Sequence, residues 1–101
     1  MVRPEAARQQ IDSRLAQLRL LSRADLAALP STSVEAVSFG PDEWSLTTYV
    51  EPEKSGSIRV VVQIGPSQPK LLLLHVQADG YRLAPDGSVS LLSERELLEF
   101  M

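Results

Sequence analysis

The chain contains no cysteine and a single histidine, His75. Without thiols it has no disulfides and no thiolate zinc site, which suits a reducing compartment. A lone histidine needs further nitrogen or sulfur ligands to hold a transition metal, and a carboxylate-only cluster would favour Ca²⁺ or Mg²⁺. No apolar run approaches the roughly 18 residues of a membrane span. Arg and Gln interrupt the N-terminal stretch, so it has no apolar signal-peptide core. The expectation is a cytoplasmic protein that does not engage membranes. Basic residues are outnumbered, 10 against 13, for a net charge of −3 and a pI near 5.0. That balance argues against nucleic acid, whose binders carry basic patches.

Glycine-rich fingerprints are also missing. Gly56 and Gly65 are isolated at the ends of expected strands, so there is neither a phosphate loop nor a dinucleotide fingerprint. No serine stands in a nucleophile elbow. The acidic pairs Asp42/Glu43 and Glu51/Glu53 fall in expected loops with nothing apolar beside them to raise a pKa, and read as solvated charge. Asp79 and Asp86 precede glycines and read as turn formers. His75 alternates with Leu74 and Val76 in an apolar stretch and reads as a structural or solvent-facing polar group. No catalytic residue, cofactor site or metal site is assigned.

What is present is strong patterning. The 101 residues are 44% apolar, enough for a core, and are read as one domain spanning 1–101. Ile58 to Ile64 and Leu71 to Val76 are the most strand-like segments and are expected as neighbours at the centre of an antiparallel sheet. From Pro4 to Leu21, Ala7, Ile11, Leu15, Leu18 and Leu21 recur at helical spacing. An unbroken helix to Leu29 would place Ser22 and Asp25 in that stripe. A break near Ser22 is therefore expected, with Ser22 capping a second short helix from Arg23 to Ala28 that Pro30 ends. Strands are expected over Val34 to Phe39 at an edge, Trp44 to Val50, Ile58 to Ile64 and Leu71 to Ala78. Asp79-Gly80 reads as a hairpin turn, followed by Tyr81 to Leu83, a turn at Pro85-Asp86-Gly87, and Val89 to Leu91. Ser93-Glu94-Arg95-Glu96 is a capping box that opens a last helix carrying Leu97, Leu98 and Phe100.

The expected fold is α+β: an N-terminal helix packed on an antiparallel meander of about four to six strands, with a short C-terminal helix. Helix followed by meander is similar in outline to cystatin-like folds, a likeness of layout that shares no motif and implies no function.

Charge is uneven. Residues 1–29 carry five arginines against Glu5, Asp12 and Asp25, and the remainder is net acidic. This reads as solvated surface, with steering of a charged partner as the sharper alternative. Trp44 falls on the core face of its strand. Tyr49 falls on the opposite face near Arg59, an interface-like pairing. Leu71 to Val76 is apolar on both faces, which implies cover on both. Two leucines left in water would forgo about 1.5–3 kcal/mol each. The last helix can fold back over part of the outer face but has barely two turns. A homodimer or a protein partner is therefore expected on a surface of Tyr49, Arg59, Val61, Leu71 and Leu73. The functional reading is a small acidic protein-interaction module, such as an inhibitor, immunity-type, chaperone or accessory protein. The alternative is a small-molecule-binding or enzymatic α+β domain with a pocket between helix and sheet, lined by Trp44, Tyr81 and His75.

Overall fold

The computed structural model describes residues 4–39, 42–66 and 76–100. The first helix, α1 (Pro4–Arg19), buries Ala7, Ile11 and Leu18, with Leu15 packed at the margin. It ends in a turn in which Leu20 N–H donates to the Gln17 carbonyl at 3.2 Å and Leu21 N–H to the Leu18 carbonyl at 3.1 Å. Ser22 then takes an extended conformation, and its hydroxyl accepts the Asp25 N–H at 3.1 Å, so α2 (Arg23–Ala27) starts afresh. The break falls where the apolar pattern requires it. Restarting the helix turns Leu26 into the core and leaves Ser22 and Asp25 in solvent.

Five strands follow: β1 (Thr32–Phe39), β2 (Asp42–Pro52), β3 (Ile58–Pro66), β4 (Gln77–Leu83) and β5 (Val89–Leu91). They lie in the order β1-β2-β3-β4-β5, every neighbour antiparallel. The chain closes with α3 (Glu94–Leu97) and a 3-10 turn over Leu98–Phe100. Ser93 caps α3 as its sequence indicated: its hydroxyl accepts the Glu96 N–H at 3.2 Å, and Glu96 returns the bond by accepting the Ser93 N–H at 3.0 Å. The architecture is the expected α+β layout.

Strand alternation decides which face is covered by what. Leu46 lies opposite Ile64, and Val50 opposite Val60, which in turn lies opposite Tyr81. These residues, with Ile58 and Val62, meet Ile11, Leu18 and Leu26 in the main core. Trp44 packs partly buried against it. The other face carries Val61, buried beneath Leu92 and Leu97, with Tyr49, Ala78 and Phe100 around it. The sheet is thus covered by α1 and α2 on one side and, around Val61 only, by the C-terminal segment on the other.

Two expectations change. Asp79 and Gly80 do not turn the chain; they sit inside β4 opposite Val62 and Val61. Gly80 is needed for closeness rather than for a turn, because a Cβ there would lie 2.1 Å from the Val60 carbonyl oxygen and 3.0 Å from Leu92 Cδ1. Asp79 accepts from its neighbour's Gly80 N–H at 2.8 Å and pairs with Arg8 of α1. The polar stretch after Val50 is also less loop-like than its composition. β2 runs on through Glu51 and Pro52, which lie opposite Arg59 and Ile58. Of the expected strand Leu71 to Ala78, residues 71–75 lie outside the described residues, and Ala78 belongs to β4.

Three arginines of the basic N-terminal region pair within the chain while staying partly exposed. Arg8 pairs with Asp79 on β4, Arg14 with Glu35 on β1, and Arg23 donates to the carbonyls of Gly56 and Ala84 in the two hairpin turns. These arginines tie the helices across the sheet from positions that water still reaches.

Candidate functional site

The outer face carries a row of charge set by register alone. Glu51 lies opposite Arg59, Arg59 opposite Arg82, and Arg82 opposite Ser90, so the row crosses β2 to β5. Two arginines directly opposite one another repel, and each is balanced by two carboxylates. Arg59 donates to Glu51 at 3.1 Å and lies 3.7 Å from Glu99. Arg82 donates through Nε to Glu53 at 2.6 Å and through Nη2 at 3.2 Å, a two-pronged pairing, and also pairs with Glu96. One acidic partner of each arginine comes from the end of β2 or the turn just after it, and the other from the C-terminal segment. The arginines therefore clamp that segment to the sheet.

The electrostatic consequences follow the contacts. Hydrogen bonding from Arg82 holds the Glu96 carboxyl down at about 2, helped by the Ser93 backbone N–H. Arg82 likewise lowers Glu53, and the Arg82 guanidinium is itself raised by Glu53 and Glu96.

Beside the clamp lies an open depression of about 420 Å³ lined by Ser31, Thr32, Tyr49, Glu51, Arg59, Glu99 and Phe100. Its wall is aromatic. The Tyr49 and Phe100 rings stand 4.9 Å apart at 52°, and the Arg59 guanidinium lies 5.4 Å from the Phe100 centroid, within cation–π reach. Tyr49 donates its hydroxyl to Gln63 Oε1 at 3.3 Å, and Gln63 donates to the Phe100 carbonyl, fixing the wall from below. Arg59 is 17% exposed, and its buried Nε has no hydrogen-bond partner among the described residues. The lining holds two carboxylates to one guanidinium, so the depression is net negative.

Of the surface read from the sequence, Tyr49 and Arg59 come together in this depression. Val61, two residues along β3 from Arg59 and opposite Tyr49, is wholly buried under the chain's own Leu92 and Leu97. Leu71 and Leu73 lie outside the described residues, as does His75. Of the other residues proposed to line a helix–sheet pocket, Tyr81 is buried in the main core, and burial raises its hydroxyl pKa. Glu51 and Glu53, read as solvated loop charge, are instead the partners of the outer arginines. The sequence reading missed Glu99, Phe100, Ser31 and Thr32. A usable signal existed, since Glu96 and Glu99 are three apart and so share one side of a helical turn, while Arg59 and Arg82 fall on matching strand positions.

Among the described residues no cluster of histidine, cysteine, aspartate or glutamate is placed to hold a metal ion, and none of their helices is long and apolar enough to cross a membrane. The acidic groups of the depression face an arginine rather than a nucleophile, which suits holding a cation more than transferring a proton. In comparisons with known proteins, no family model, curated protein or solved structure matches the chain.

Proposed function

We propose that this chain is a small acidic protein-interaction module, of the inhibitor, immunity-type, chaperone or accessory kind, working in the cytoplasm with a protein partner or a second copy and without nucleic acid or membrane. One observation carries this reading: β1 is an edge strand of eight residues with no strand along its outer side among the described residues. Residues 31–36 are all exposed, and Val34 is 65% exposed. Edge strands are normally blunted by shortness, proline, lysine or a bulge. The opposite edge, β5, is only three residues long. By contrast β1 has no proline or lysine, and its register to β2 is unbroken from Thr32 to Phe39. Its one charged side chain, Glu35, pairs with Arg14.

The test is affinity capture on the tagged full chain, followed by reconstitution from purified components. A stoichiometric protein complex that re-forms supports the reading. Failure to reconstitute any such complex, together with thermal stabilisation by one class of small molecule, would overturn it.

A further inference from the structure

The backbone of β1 can be assigned group by group. Val50 N–H donates to the Ser31 carbonyl at 3.0 Å, so Ser31 and Val50 form a hydrogen-bonded pair. Such pairs alternate along an antiparallel ladder. With the register unbroken, Ser33, Glu35 and Val37 also bond to β2, while Thr32, Val34, Ala36 and Ser38 turn their N–H and C=O groups outward. Four consecutive outward positions are a template for one added strand.

The depression opens at the start of this edge, and Ser31 and Thr32 form its rim. Thr32 lies opposite Tyr49 on the outer face. A strand laid along β1 directs alternate side chains to that face, and one of them reaches the depression beside Thr32. There it meets the carboxylates of Glu51 and Glu99, which are 40% and 65% exposed, and the rings of Tyr49 and Phe100. Arg59 already shows how a cation sits between these groups, over the Phe100 ring with a carboxylate on each side. The chain as a whole carries −3.

We infer that β1 accepts an extended segment of a basic partner protein as a sixth strand, with one lysine or arginine of that segment seated in the Glu51–Glu99–Phe100 depression. This rests on the protein-interaction reading and names the partner's chemistry. Main-chain bonds supply the affinity, and the seated cation selects the sequence. A second copy of this chain would offer β1 itself, which carries no basic residue, and would leave the depression empty.

The probe is a short fluorescein-labelled peptide of alternating threonine and valine with a single central lysine, compared by anisotropy with the same peptide carrying norleucine. Wild type is expected to bind the lysine peptide about fivefold more tightly, the worth of a partly exposed ion pair. Ala36→Pro removes an outward N–H without touching the β2 ladder, and is expected to abolish binding of both peptides. Glu99→Gln, which leaves Arg59 paired with Glu51, is expected to keep binding but weaken the lysine preference, and this variant carries the test by itself should Ala36→Pro fail to fold. Equal affinity for the two peptides in wild type would overturn the inference. So would a concentration-dependent dimer in sedimentation that Ala36→Pro disperses, since that gives the edge to a second copy. A purified partner protein that binds wild type and Ala36→Pro alike would overturn it too, while leaving the interaction reading in place.

Discussion

Arg82 holds a carboxylate on either side, and the acid response of the molecule follows from it. Glu96 titrates at about 2 when folded against an ordinary value of 4.5, and Glu53 is lowered by the same guanidinium. Because the folded values are depressed, the stability these groups contribute is fully present above their unfolded value. It is lost as pH falls from about 4.5 towards 2. Urea midpoints measured down that range should decline, and Glu96→Gln should decline less steeply; an unchanged slope would remove Glu96 from the account. Gly80 supports a second expectation at this scale. Adding a Cβ 2.1 Å from the Val60 carbonyl oxygen forces β3 and β4 apart, and Gly80→Ala should cost about 3 kcal/mol in urea unfolding. The residue-level signals legible in the sequence were the local ones. Ser22 and Ser93 each bond a backbone N–H three residues on, so their roles are contained in short stretches of chain. Gly80 was misread because its constraint comes from Val60 and Leu92, both distant in sequence.

The elements were legible wherever one face is buried. The stripe of α1 placed Ile11 at the centre of the helix–sheet contact, and it is fully buried there. Ile11→Ala should lower stability by about 2–5 kcal/mol, read as a shift of the urea midpoint with an unchanged slope. A loss under 1 kcal/mol, roughly the scale of a surface change, would mean that α1 is dispensable to the core. The C-terminal segment was harder to read. Leu97, Leu98 and Phe100 form a single apolar set by composition, yet Leu97 and Phe100 turn onto the sheet while Leu98 is 64% exposed. What seats the segment is charge as much as apolar contact, through Glu96 and Glu99 on Arg82 and Arg59. That pairing depends on strand register, which a helix pattern does not contain.

At the scale of the whole molecule, the uneven charge of the sequence becomes cross-bracing. Arg23 joins α2 to the hairpin turns before β3 and before β5 through the Gly56 and Ala84 carbonyls. Arg23→Ala should cost about 1.5–3 kcal/mol, the usual worth of hydrogen bonds to a charged group. Hydrogen exchange should speed up in both turns together, and faster exchange in only one of them would refute the bracing. Composition correctly indicated a core and an acidic surface. It could not show that Arg8, Arg14 and Arg23 pair within the chain, because their partners lie on separate strands and turns.

The strands lie side by side in the order in which they are made, and that has a kinetic consequence. Three of the four pairings close short spans: Phe39 to Asp42, Pro52 to Ile58, and Leu83 to Val89. The fourth, from Ile64 to Gln77, is the longest. The entropy of closing a loop rises with its length, and pairings distant in sequence slow folding. Of the four strand pairings, the joining of β3 to β4 therefore carries the largest closure cost. Because α1 packs against both β3 and β4 and pairs with β4 through Arg8 and Asp79, the helix meets its whole binding surface only once that longest span has closed.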